Sequence, residues 1–261
     1  ELDLKGMQNP TWINTRLEFT HGYGIVMNPV NEVAGSGLPR LWVRDLPPKT
    51  EVPLSITRPE IYYGKKPRSY IFVGTTVREF DYPMGDSNVR TTYEGKGGVP
   101  MGTLFRRILY AIRFADFKIL FSDVFTENSR VKYHQNIRER LTRVAPFLYF
   151  DRDPYLVVSE GRLVWMQDAY TAADRYPYSQ PVSLGRGQGI NYIRNSVKAT
   201  VDAYDGTMRF FVSDPDDPVL KAWSGVFPDL FRPLSEMPSG LKAHLRYPQD
   251  LFNIQSEIYR V

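Results

Sequence analysis

The chain has 261 residues, 33 basic and 29 acidic side chains, a formal net charge of +4 and no cysteine. That length holds one large domain or two small ones, and the ordinary apolar content predicts a packed core. The missing cysteines exclude disulfides and thiolate metal sites within the chain, and so small and dispersed a charge gives no reason to expect a nucleic-acid partner. The longest apolar runs, such as Ile119-Leu120-Phe121, are far too short to span a bilayer, and Glu1-Leu2-Asp3-Leu4-Lys5 lacks the apolar run of a signal peptide. Taken alone, these features point to a soluble cytoplasmic chain, with a basic surface near anionic lipid headgroups still compatible.

In chain order, residues 1–14 form a lead-in segment. Thr15–Thr20 and Tyr23–Met27 read as strands around a break at His21-Gly22, and 28–39 as a loop. Leu41-Trp42-Val43 is a short strand that Pro47-Pro48 ends. Glu60–Tyr63 and Tyr70–Val77 are further strands, Asp81–Asp86 a turn, and Val89–Tyr93 another strand. Residues 101–148 switch to helical period. There Leu104, Phe105, Ile108, Leu109, Ile112 and Ala115 recur at helical spacing, with Arg106, Arg107 and Arg113 among them. Asp116–Val124 reads as a short second helix. Asn128 or Ser129 caps a third, carrying Val131, His134, Ile137, Leu141 and Val144, which Pro146 ends.

Two hairpins follow. Asp205-Gly206 is a type I′ signal that pairs Ala203 with Met208, Val201 with Phe210 and Ala199 with Val212, leaving one face apolar. Glu160-Gly161 closes Tyr155–Ser159 onto Arg162–Met166, and both faces there are apolar, as in a covered hairpin. Gly185–Gly189 is a flexible loop. Pro218 opens a helix that runs to about Trp223, Ser239 caps Leu241–Leu245, and Pro248 opens a last helix. The expected fold is α+β, mostly antiparallel hairpins with a central helical segment (about 101–148) and C-terminal helices. Residues 1–261 read as one domain, and Tyr149–Asp153 is the candidate boundary, with no linker composition to mark it.

Catalytic signatures are absent: there is no GxSxG, no HExxH and no EF-hand spacing, and neither a metal nor a cofactor is indicated. Asp214, Asp216 and Asp217 in SDPDDP suit turns and helix caps better than a divalent ion. Asp151 with Asp153, or Asp168 with Asp174, offer paired carboxylates, though Asp151-Arg152-Asp153 is more simply an ion-paired turn. His21, between a threonine and two nearby glycines, is the best single residue for chemistry. Tyrosines cluster at 62–63, 170, 176 and 178, where rings can stack on sugars or fill a core. The loop Glu94-Gly95-Lys96-Gly97-Gly98-Val99-Pro100 precedes a helix start, which is the geometry of an anion cradle. A ligand pocket is therefore expected at Glu94, Lys96, Gly97 and Gly98, with Arg58 and Arg90 as further anchors and His21 as a neighbour. An anionic or carbohydrate-like ligand fits that set. The competing reading is that the glycines only turn the chain tightly onto the helix.

Several stretches resemble a known family. They include Phe19-Thr20-His21-Gly22-Tyr23-Gly24, Arg58-Pro59-Glu60-Ile61-Tyr62-Tyr63-Gly64, Glu79-Phe80-Asp81-Tyr82-Pro83 and Tyr93–Pro100. Asn136–Arg140, Asp151–Tyr155, Asp174–Ser179, Asn191–Lys198 and Leu234–Pro238 continue the match over nearly the whole chain. The chain is similar to uncharacterised protein family 0182, a group of bacterial multi-pass membrane proteins. The resemblance implies that this is the soluble, extracytoplasmic part of a longer protein at the cell membrane, partnered by its own membrane portion. It assigns no catalytic residue. It favours a domain that binds a ligand or partner over the alternative, a cell-envelope hydrolase using acidic residues and His21.

Overall fold

Val131, Lys132 and Tyr133 lie in a strand, not in the helix that their spacing predicts, in the computed structural model of the chain. The structure describes residues 4, 7–8, 10–66, 69–183 and 189–260. Glycine loop 185–189 thus falls almost wholly outside the described residues. The class is α+β, with antiparallel pairing in nearly every sheet. Two compact units divide the chain. The first is Glu1–Ile137 with Glu160–Leu163 and Ala203–Gly206; the second is Arg138–Ser159, Val164–Asp202 and Thr207–Val261.

The first unit holds strands β1 (Gly22–Tyr23), β2 (Val43–Arg44), β3 (Lys49–Thr50), β4 (Glu60–Ile61), β5 (Tyr70–Val73), β6 (Glu79–Met84), β7 (Ser87–Thr91), β8 (Val99–Pro100) and β9 (Arg130–Tyr133). β1 pairs with β4, β2 with β3 and β6 with β7, while β9 lies between β5 and β8. That central place decides its conformation. Both neighbours take up its backbone groups, which a helix there would leave facing two strand edges. His134, at φ 52, then turns the chain, and the helix starts only at Ile137. Asn14–Glu18 is a π-helical turn instead of a strand, closed by the Phe19 amide on the Asn14 carbonyl at 2.9 Å. This turn sends Leu17 into a core with Phe72, Met101, Ile119 and Val131. Asp81–Met84 belongs to strand β6, and the turn narrows to Gly85-Asp86. Helices α1 (Leu104–Phe114) and α2 (Lys118–Phe121) follow, the first capped by Thr103.

The second unit begins with helix α3 (Ile137–Val144) after its first residue. Its strands are β10 (Tyr149–Phe150), β11 (Tyr155–Ser159), β12 (Arg162–Ala173), β13 (Val182–Ser183), β14 (Gly189–Ile190), β15 (Tyr192–Asp202), β16 (Met208–Val212) and β17 (Phe231–Pro233), less the residues of β12 counted above. The main sheet runs β10-β12-β15-β16-β17 with β11 beside β12, and β17 is parallel to β16. Helices α4 (Pro218–Val226) and α6 (Gln249–Tyr259) start where their prolines place them, whereas in α5 (Ser239–Lys242) Pro238 takes the cap position and Ser239 is the first helical residue. Asp217 caps α4, accepting from the Val219 amide at 3.0 Å.

The hairpin after Val197 has the predicted faces but another register. Val201 pairs with Met208 and Ala199 with Phe210, two positions away from expectation. A shift of two keeps every side chain on its side of the sheet, so Val201 and Phe210 are still buried. The loop is Ala203-Tyr204-Asp205-Gly206, and only Gly206 has positive φ. Its backbone is used elsewhere: the Ala203 carbonyl accepts from the Tyr62 and Tyr63 amides, both at 2.9 Å, and the Ala203 amide donates to Leu163 at 3.0 Å. The type I′ pattern appears instead at Glu160-Gly161, where φ is 52 and 76.

Candidate functional site

His21 sits immediately before β1 and is fully enclosed. Its Nε2 lies 3.1 Å from Asp81 Oδ1 on β6, and its Nδ1 lies 2.9 Å from the Thr20 hydroxyl. Thr20 donates its proton to Glu79, so it accepts from Nδ1. Both ring nitrogens then donate, which is the imidazolium form. Burial pulls the His21 pKa down, but bonds and charge from Asp81 and Glu79 outweigh it and raise the net value above 6.5. Glu79 also accepts from the Tyr62 hydroxyl at 2.8 Å and the Tyr93 amide at 3.1 Å. Glu60 on β4 is held by Arg58 at 3.7 Å, and burial raises its pKa. Its Oε2 has no hydrogen-bond partner among the described residues.

Beside this cluster, in the same unit, Lys132 of β9 is completely buried. Its ammonium lies 3.7 Å from the centre of the Tyr62 ring and 3.5 Å from that of Tyr93, and donates to the Tyr204 carbonyl at 3.0 Å. Ring faces carry partial negative charge, so this is a cation–π box. Asp205 completes it. Burial pushes the Asp205 carboxyl up, yet the Tyr93 hydroxyl at 2.6 Å and the charge of Arg162 leave it below its ordinary value.

The glycine loop is tied into this arrangement through its own backbone. The amides of Glu94, Lys96 and Gly97 donate to the Tyr204 hydroxyl, Asp205 Oδ1 and the Tyr93 hydroxyl, at 3.1, 3.1 and 2.8 Å. Arg130 donates to the carbonyls of Lys96, Gly97 and Gly98. A Cβ on Gly97 would stand 2.2 Å from the Asp205 carbonyl oxygen, so close backbone approach explains the glycine. The Lys96 side chain is exposed. Arg58 pairs with Glu94 at 2.9 Å, whereas Arg90 is engaged by Glu18 and the Arg78 carbonyl. The structure thus brings His21 together with Glu79 and Asp81, and Arg58 with Glu94, and holds Arg90 with a different set. Sequence reasoning missed Glu79, Lys132 and Asp205. The Tyr62-Tyr63 doublet was the available signal, and a strand pattern gives no sign of a lysine turned inward.

In the second unit, the carboxylate pairs are built into the fold. Asp151 accepts from the Tyr170 hydroxyl, the Asp250 amide at 2.9 Å and the Asp153 amide at 2.9 Å, while Asp168 is paired with Lys198.

One surface feature has the opposite character. Helix α1 is fixed by Arg107, Tyr110, Ala111 and Phe114, which face the core of the first unit. The Arg107 guanidinium donates to the carbonyls of Ile119, Leu120 and Ser122, the last at 2.7 Å. Phe114 stacks on Tyr70 at 4.0 Å between ring centres. The predicted apolar stripe therefore points outward. Leu104 is 64% exposed, Phe105 70% and Ile112 70%, and Phe121 on α2 is 85% exposed.

The profile of the Uncharacterised protein family (UPF0182) matches residues 1–261. This chain belongs to that family. A UPF0182 protein of Desulforamulus reducens is 51% identical over 98% of this chain, and one of Pelotomaculum thermopropionicum is 50% identical over 97%. A UPF0182 protein of Trichodesmium erythraeum is 49% identical over 95% of the chain. The chain spans only 27%, 27% and 29% of these three relatives. It corresponds to one part of each of these longer relatives. No solved structure matches it. Among the described residues, no helix is long and apolar enough to cross a membrane.

Proposed function

We propose that this chain is an extracytoplasmic domain of a longer UPF0182 membrane protein and acts by docking, not by catalysis. The observation that carries the reading is the outward apolar ridge of α1 and α2, on a helix whose opposite side is firmly anchored. Monomeric surfaces rarely leave so many large apolar side chains side by side. The resemblance to multi-pass membrane proteins supports the location, and the relatives' much greater length leaves room for a membrane portion as the partner. The hydrolase alternative draws no support from Glu79, Asp81 and Asp151, which already hold partners within the fold.

The cysteine-free sequence makes a direct test simple. Single cysteines are placed at Ile112, on the ridge, and at Val30, a fully exposed control, in a cysteine-free version of the full-length protein. Whole cells are treated with a membrane-impermeant maleimide. Val30→Cys is expected to react in intact cells and Ile112→Cys to be protected by about tenfold or more, as a covered apolar side chain would be. Equal labelling of the two positions would show an uncovered ridge and remove the docking reading. Labelling of Val30→Cys only after lysis would remove the extracytoplasmic placement.

A further inference from the structure

We infer that the α1–α2 ridge lies on the headgroup and upper acyl region of an anionic lipid bilayer. The inference rests on the docking reading above and puts lipid, not the protein's own membrane portion, under the ridge. Successive helix residues are offset by about 100°, so α1 divides into three sectors. Leu104, Ile108, Ile112, Phe105 and Leu109 fill one sector about 140° wide. Arg106 and Arg113 border it, and Arg107, Tyr110, Ala111 and Phe114 form the anchored side. An apolar sector of leucine, isoleucine and phenylalanine edged by arginine is the composition of a helix that lies in a lipid interface. The arginine stems can run along the acyl boundary while the guanidinium groups reach phosphate. At 11 residues the helix is about 16 Å long, half a hydrocarbon core, so it lies on the bilayer and does not cross it.

Charge selects the partner. From Gly95 to Ala115 the chain has Lys96, Arg106, Arg107 and Arg113 and not one acidic residue. Among the described residues, Arg106 reaches the Pro100 carbonyl at 3.4 Å, and Arg113 lies over the Tyr133 ring at 5.1 Å. Of the two acids that flank this stretch, Glu94 pairs with Arg58 at 2.9 Å, and Asp116 accepts from Trp12 Nε1 at 2.6 Å and from the Tyr70 hydroxyl. A second copy of this chain is a poor occupant. Two-fold symmetry would set this basic patch against itself, with no acid on α1 or α2 to compensate. Anionic headgroups supply the missing charge, and acyl chains supply the apolar contact.

The test uses the 261-residue chain and sedimentation with vesicles, either phosphatidylglycerol mixed with phosphatidylcholine or phosphatidylcholine alone. Binding is expected to the anionic vesicles and to be weaker by about tenfold or more on the neutral ones. The variant Phe105→Ser, Ile112→Ser, Phe121→Ser replaces only exposed side chains, so its melting curve should match that of the parent. It is expected to lose vesicle binding, and Arg106→Gln with Arg113→Gln to lose the preference for anionic lipid. Equal sedimentation with and without vesicles overturns the proposal, as does retained binding by the triple serine variant. A ridge-dependent dimer in analytical ultracentrifugation, in place of vesicle binding, also overturns it. If Ile112→Cys is protected in cells while vesicles are ignored, the docking reading stands and the lipid partner falls.

Discussion

Replacing Gly206 with alanine tests the packing of the first unit at one atom. Gly206 has φ +72, where a side chain costs about 1 kcal/mol or slightly more. Its added Cβ would also stand 2.5, 2.6 and 2.7 Å from three atoms of the Tyr63 ring. Contacts that short require movement, and Tyr63 has little freedom to move. It is 1% exposed, and its amide is bonded to the Ala203 carbonyl of the same loop at 2.9 Å. Overpacking of a closed site costs about 1–3 kcal/mol, so Gly206→Ala should lose about 2–4 kcal/mol in all. Gly85→Ala is the internal control. Gly85 has φ +59 with nothing within 4 Å of its Cβ position, so only the backbone cost of about 1 kcal/mol applies. For a chain of this size, the difference between the two variants should appear as several degrees in melting temperature, at about 2–4 °C per kcal/mol. In a Tyr63→Ala background, the excess cost of Gly206→Ala should vanish. Equal midpoints for Gly206→Ala and Gly85→Ala in the parent chain would refute the argument.

Two further outcomes follow from buried charges. His21 binds its proton more tightly folded than unfolded, so its contribution is complete below pH 6.5 and is lost as the pH rises through the folded value. Urea midpoints of the parent should therefore decline with pH above 6.5, and His21→Gln should flatten that slope; an identical slope in the variant would contradict the imidazolium assignment. Asp217 behaves oppositely. Burial raises its pKa, but the Ser196, Thr171 and Tyr192 hydroxyls and the Val219 amide bring it below 3.8, so its stabilisation is present above that pH and fades as acid reaches the folded value. Asp217→Ala should cost about 3 kcal/mol at neutral pH by losing a cap and stranding buried hydroxyls, and a loss under about 1 kcal/mol would count against the network.

Local chemistry was legible in the sequence where a single residue fixes a backbone. Pro218 and Pro248 mark two of the last helices, and Asp217 caps as its Asp-Pro context implies. The faces of the Val197–Val212 hairpin were readable because a period of two survives any even shift. Its register was not, because the Ala203 backbone bonds to Tyr62, Tyr63 and Leu163, partners that no local pattern records. The same limit applied to β9. Val131, His134 and Ile137 match helical spacing, but two strand neighbours far away in sequence claim the backbone. In the polar cluster, His21 was visible as a residue type. Its partners Glu79 and Asp81 were not, since 58 and 60 positions of chain separate them from it and only folding sets the distance.

Polar groups in the interior and apolar groups on α1 are placed in opposite ways. A carboxylate that works as acid or base must exchange partners during turnover. Glu79 holds Thr20, Tyr62 and the Tyr93 amide, and Asp151 holds Tyr170 and two amides, so exchange would strand several buried groups at once. These networks fix loops and strand ends. Helix α1 is arranged the other way. Its buried side uses an arginine bonded to three carbonyls and a stacked phenylalanine, while leucine and isoleucine, which need no hydrogen bonds to be buried, are left outside. Rotating the helix to bury that stripe would gain apolar area in this chain alone. It would also tear Arg107 from its carbonyls, and those contacts therefore hold the stripe outward. Glu79 and Asp151 have their partners and the apolar stripe lacks one, which is why the proposed docking reading rests on α1.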